Sequence, residues 1–213
     1  MIVARVAGTA WHIEDGARKL QLRARLPGAR VYDHVAESLR RARAAGLSAA
    51  DRLPIALPGS WCVNSPAPST VLRRWALPPQ REVWVALVEL LESLGASLDD
   101  EAEQALRLGL GALGREPYAV EAISKVAALL VPDAVPLMPP PATAFILGDG
   151  VLADEGTFVA MVRWFLEESA QARDELAALA ASHGEVALVP GQVLDRLLWF
   201  DSEGFRHFAG AKT

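Results

Sequence analysis

At 213 residues, 52% hydrophobic and 22% charged, the chain carries enough apolar side chain to bury a core, which excludes intrinsic disorder and the collagen-like and disulfide-scaffold classes. Its net charge of −5 is unevenly divided: residues 1–52 hold 10 Lys/Arg against 5 Asp/Glu, and residues 53–213 hold 11 against 21, so a basic first quarter meets an acidic remainder. The single cysteine, Cys62, excludes an internal disulfide and points to a reducing compartment.

From Met1 to Pro27 the pattern is read as extended. Lys19 to Leu26 alternates polar with apolar, as a half-buried strand does, Ile2 to Val6 is its candidate partner, and Asp15-Gly16 supplies a turn between them. Such a two-stranded hairpin needs something to pack on. Asp33 is placed to cap a helix with Val35, Leu39 and Ala42 on its apolar face and Gly46 at its end. Residues 53–68 hold Pro54, Pro58, Pro66 and Pro68, which predicts an ordered loop and a boundary between an N-terminal unit (1–52) and a helical domain (69–213).

Ser69 to Trp75 predicts a short helix. Val83, Leu87, Leu90, Leu91 and Leu94 then recur at helical spacing and Gly95 stops them. Asp99-Asp100-Glu101 places negative charge where a helix N-terminus favours it, and Pro117 to Val131 is bracketed by an opening proline and by Pro132. Residues 132–141 hold five prolines and predict a rigid connection. Thr157 to His183 reads as one long helix and Gln192 to about Phe200 as the last, followed by an aromatic tail. The fold class expected is mainly α (α+β), a multi-helix globular domain with a small N-terminal β hairpin.

Motifs for chemistry are weak. Gly109, Gly111 and Gly114 match the dinucleotide-binding glycine pattern, but a helix-like segment precedes them where that motif needs a strand. His12, His34, His183 and His207 include no pair at metal-ligand spacing. Ser60 lacks the second glycine of a nucleophile elbow, and Cys62 reads as a small apolar residue. No catalytic residue, metal ligand or cofactor is expected.

Two surfaces remain as candidates. Lys19, Arg23 and Arg25 would line one face of a strand, with Arg40, Arg41 and Arg43 on the next helix, forming a positive face for nucleic-acid phosphates. An acidic remainder and a pI near 5.4 also allow that face to be self-paired or simply solvated. Trp199, Phe200, Phe205, Arg206 and Phe208 make the tail a candidate partner contact, since aromatics and Arg dominate interface hot spots, and Trp61 and Trp75 are secondary candidates.

The segment Ala122 to Met138, in which a helix with the Ser124-Lys125 pair runs into Pro132-Asp133-Ala134-Val135-Pro136, resembles uncharacterised bacterial helical proteins related to helix-hairpin-helix domains. The resemblance covers about residues 113–142 and implies a helical architecture. Leu113-Gly114-Arg115-Glu116-Pro117 stands where that family has a glycine-rich hairpin, and Pro139 to Pro141 stand where it has an acidic residue, so no activity is carried over.

The expected function is that of a non-catalytic bacterial cytoplasmic protein, with no membrane association, acting through a protein partner or a second copy of itself. A nucleic-acid-binding module using the basic face and an enzyme with a dispersed site are the alternatives.

Overall fold

Eleven α-helices and one antiparallel hairpin form the described part of the computed structural model, which comprises residues 2–6, 9–114, 116, 118–149, 154–182 and 188–204. The molecule is mainly α with a small N-terminal hairpin, as its sequence predicts. No helix among the described residues is long and apolar enough to cross a membrane.

The hairpin pairs β1 (Ile2–Val6) with β2 (Thr9–Ile13), in a register that sets Ile2 opposite Ile13 and Ala4 opposite Trp11. Those four side chains and Val6 are buried, whereas His12 and Thr9 face outward. The predicted second strand, Lys19 to Leu26, is instead helix α1 (Gly16–Arg23). Its alternation is real but contains no β-branched residue, and Lys, Leu, Gln, Arg and Ala all favour helix. Asp15, at φ 52°, makes the turn into α1, and Leu20 and Arg23, three residues apart, form its buried side.

Leu26 is extended and Pro27 opens α2 (Pro27–Ala44), so Asp33 lies well inside this helix and is not its cap. Gly46, at φ 87°, ends the turn as expected. Residues 53–63, expected as loop, are helical: α3 (Ala49–Gly59) runs through Pro54 and Pro58 into a 3-10 turn, Ser60–Val63. A strong start offsets the prolines, because the Ser48 hydroxyl accepts from the Asp51 N–H while the Asp51 carboxylate accepts from the Ser48 N–H. Pro54 has no N–H for the Ala50 carbonyl, which accepts instead from Arg81 Nη2 at 3.4 Å.

α4 (Ser69–Trp75), α5 (Gln80–Ser93), α6 (Asp100–Leu113) and α7 (Ala119–Leu130) follow the predicted order. Gly109 and Gly111 lie within α6, and Gly114 at φ 156° ends it. Every residue of α7 except Glu121 is buried, and α2, α3, α6 and α9 (Glu155–Gln171) surround it. A helix apolar on all sides belongs at the centre of a domain. One contiguous cluster of buried side chains runs from Ile2 to Leu198 and is continuous across residues 53–68.

The proline-rich connection ends in a helix that the sequence pattern conceals, α8 (Pro140–Leu147), with Pro140 at its first position. Phe145 of α8 meets Trp11 edge to face, with ring centroids 5.5 Å apart, which seats the hairpin. The single helix expected over 157–183 is two, α9 and α10 (Arg173–Ser182), broken at Ala172. The break keeps Ala172 and Leu176 buried while α10 turns towards α1 and α11 (Pro190–Trp199). His183 lies outside the described residues.

α11 packs tightly on the connection at Gly191, where an added Cβ would come within 2.5 Å of the Pro132 carbonyl oxygen and 2.8 Å of Asp133 Cα. Both neighbours are backbone. Gly191→Ala is therefore expected to lower the urea midpoint of unfolding by about 1–3 kcal/mol equivalent through overpacking; an unchanged midpoint would show that α11 has room to shift.

Candidate functional site

The residues expected to form a basic face are largely engaged within the chain. In α1, Lys19 and Arg23 are four residues apart and point at the C-terminal elements. Lys19 Nζ lies 2.6 Å from Asp201 Oδ1, with both side chains 16% exposed. Arg23 is buried, 3.5 Å from Asp33. On α2, Arg40 Nε and Arg41 Nε donate to Glu37 at 3.0 and 2.7 Å. Burial raises the Glu37 pKa, but these two hydrogen bonds outweigh it and hold the carboxyl below its usual range. Arg43 pairs with Glu92 of α5 at 3.1 Å. Arg25 is exposed, beyond the end of α1. The single strand face proposed for Lys19, Arg23 and Arg25 therefore does not form.

The described part of the aromatic tail folds onto its own chain. Trp199 ends α11, with its ring 5.7 Å from the Arg23 guanidinium, and a π-helical turn, Phe200–Gly204, follows. Asp201 in that turn accepts from Trp11 Nε1 at 2.9 Å as well as holding Lys19, so one carboxylate ties the C-terminal turn to β2 and α1. Trp199 and Phe200 are half-buried; Phe205, Arg206 and Phe208 lie outside the described residues.

Sequence reasoning missed the polar network beneath them. Arg23 of α1, Tyr32 and Asp33 of α2, and Asp195 and Arg196 of α11 are all buried. Arg196 forms an ion pair with Asp33, while its Nε and Nη1 have no hydrogen-bond partner among the described residues. Asp195 accepts the Leu137 N–H at 2.7 Å. Desolvation pushes the Asp195 carboxyl up to about 6, against the pull of Arg23, the Leu137 N–H and Arg196 and with the push of Asp33. Desolvation also pushes the Tyr32 phenol well above its usual range and lowers Arg196. Nothing in the spacing of these residues marks them, because positions 23, 33 and 195 meet only after three helices have packed.

The tryptophans assigned to the proline-rich region divide. Trp75 is fully buried, donates from Nε1 to the Leu113 carbonyl at 2.9 Å and meets Trp84 edge to face, so it is a core residue and not a contact residue. Trp61 is 50% exposed. It continues a line of exposed apolar side chains along α3 and the 3-10 turn: Pro54, Ile55 (47% exposed), Pro58 and Trp61, at relative positions i, i+1, i+4 and i+7. That spacing places them on one helical face. The opposite face of α3, with Leu53, Ala56 and Leu57, is buried. α3 is thus apolar on both sides, with only one covered. Among the described residues no three His, Cys, Asp or Glu side chains converge in a group fit to hold a metal ion.

The Asp195 carboxyl sets a pH signature. Its folded pKa near 6 exceeds the 3.8 of an exposed carboxyl, so the folded state holds the proton more tightly. The stability this contributes is present below about pH 4 and is lost as pH rises through 6. Asp195→Asn removes the titration and keeps an acceptor for the Leu137 N–H. Urea unfolding of parent and variant from pH 4 to 7 is expected to move in the variant's favour by up to about 3 kcal/mol. A difference that stays flat with pH would mean that Asp195 does not titrate there.

No protein-family model, curated protein or solved structure matches this chain.

Proposed function

We propose that this chain is a non-catalytic contact protein that associates with a second copy of itself through the exposed apolar face of α3 and its 3-10 turn. The observation that carries this reading is the run Pro54, Ile55, Pro58 and Trp61, four apolar side chains on the outer face of a helix whose inner face is already buried. Leaving such a face in water forgoes about 25 cal/mol per Å² of apolar area. A tryptophan at the end of the line supplies the kind of anchor that dominates contact energy.

A single helix also suits self-association, because two copies related by a two-fold axis can lay α3 antiparallel on α3, so that the same strip serves both copies. Residues 49–59 span roughly 16 Å at 1.5 Å per residue, long enough for two helical turns to interlock. The prolines add stiffness, so little conformational freedom is lost on contact. A phosphate-binding face has less support, because Lys19, Arg23, Arg40, Arg41 and Arg43 each stand beside a carboxylate of the same chain.

Light scattering on the purified chain tests this reading. The expected mass is near twice 22.8 kDa at micromolar concentration, falling to 22.8 kDa in Ile55→Glu/Trp61→Glu with unchanged circular dichroism. A parent that stays at 22.8 kDa throughout, or a dimer that the double substitution leaves intact, overturns it.

A further inference from the structure

On the other side of the 3-10 turn from the exposed strip lies a pocket of about 530 Å³, a size typical of small-molecule sites. Six parts of the chain wall it: α1, the start of α2, the 3-10 turn with Asn64, α7, the connection into α8, and the end of α11 with the turn after it. Trp199, Leu137 and Pro139 give it an apolar side, and Arg23 and Lys125 are its cations.

Both cations are more than nine-tenths buried, and both have donors to spare. The Arg23 side chain is 5% exposed and carries five N–H donors, yet among the described residues it makes one hydrogen bond, to Asp33 at the long distance of 3.5 Å. Asp33 has a second guanidinium partner in Arg196, so it cannot serve Arg23 alone. The aromatic faces of Tyr32 and Trp199, 5.9 and 5.7 Å away, hold the Arg23 guanidinium in place without using its N–H groups. The Lys125 side chain is also 5% exposed, and its ammonium donates to the Asn64 carbonyl at 2.8 Å and to Glu121, which leaves a third N–H. Asn64 is itself in the left-handed region at φ 55°, and that turn presents its carbonyl to Lys125.

The spare N–H groups of Arg23 are not sealed off, since among the described residues the buried side-chain nitrogens that lack a partner belong to Arg196 and Trp84, and those of Arg23 open on the pocket. The group that fits the planar fork of Arg23 is a carboxylate, which accepts two parallel N–H bonds. Two further carboxylates line the pocket, Glu121, which is paired with Lys125, and Glu203. They oppose a second negative charge on the occupant, which rules against a dicarboxylate or a polyphosphate.

We propose that this pocket binds a small monocarboxylate, with its carboxyl group on Arg23 and Lys125 and its apolar body against Trp199, Leu137 and Pro139. This site is independent of the α3 contact, and no bond is made or broken in it.

Titration calorimetry on the full chain tests the assignment with four probes: hexanoate, 3-phenylpropanoate, the neutral 3-phenylpropan-1-ol and the dicarboxylate phenylsuccinate. At least one monocarboxylate is expected to bind saturably at one site per chain, with the alcohol and the dicarboxylate each at least about 10-fold weaker. Arg23→Lys keeps the charge beside Asp33 but loses the fork, and is expected to weaken binding by about 10- to 100-fold. Ala29→Phe, on the wall at the start of α2, leaves the ion pairs untouched and is expected to abolish binding by filling the space. Folding of each variant is checked by its thermal transition. Absence of saturable binding of both monocarboxylates at millimolar concentration overturns the proposal. Equal affinity for the alcohol, or binding that survives in a folded Ala29→Phe chain, does so too.

Discussion

The structure depends most on a buried charge cluster in which one carboxylate, Asp33, stands between two guanidiniums, Arg23 and Arg196, with Asp195 beside them. The three helices that carry these groups come from opposite ends of the chain: α1 and α2 from the first 44 residues, α11 from positions 190–199. Such a cluster contributes little net stability once desolvation is counted, but separating its members strands charge in an apolar interior. It therefore acts as a constraint on assembly. The helices must meet in one arrangement, and the extended segment through Leu137 must run past Asp195 to place its N–H there.

The charge reversal along the sequence finds part of its explanation in the same way. Lys19 pairs with Asp201, and Arg43 and Arg52 both reach Glu92, so cations of the basic quarter meet carboxylates of the acidic remainder. Arg52 is the most buried of these, with a side chain only 2% exposed, and it also donates to the Leu130 carbonyl at the end of α7. Arg40 and Arg41 pair locally with Glu37 and are more exposed, where ion pairs are worth little. The asymmetry read from composition is thus in part an internal complementarity that joins the N-terminal helices to the rest.

The connection between α7 and α8 shows how a polar backbone is housed in an apolar core. Four of its N–H groups have acceptors within the chain: Ala134 and Val135 donate to the Val131 carbonyl, Leu137 to Asp195 and Met138 to the Ser124 hydroxyl. Prolines at 132, 136, 139 and 140 bring no N–H and need no acceptor. This segment forms one wall of the carboxylate pocket, and the 3-10 turn forms another. Along that turn Trp61 faces solvent while Cys62 faces the pocket, so two surfaces of different chemistry stand back to back on four residues.

By itself the sequence determined the helical class and the existence and order of most helices, because the spacing of Val83, Leu87 and Leu91, or the proline bracket around α7, is a local property that any packing must respect. It also determined a stop at Gly46, where only a residue without a side chain adopts the backbone easily. It misassigned Lys19 to Leu26, where alternation and helix propensity conflict and contact with α11 decides for helix. It misread Pro54 and Pro58 as loop: the Ser48–Asp51 capping box stands in the sequence three residues apart, but the Arg81 that answers the Ala50 carbonyl comes from another helix. The surfaces were the least legible part. Whether Trp61 is exposed and Trp75 buried, and whether Arg23 meets solvent, a carboxylate or an open pocket, depends on which helices lie alongside. Burial and pairing are properties of neighbours in space, and only the tertiary structure decided them.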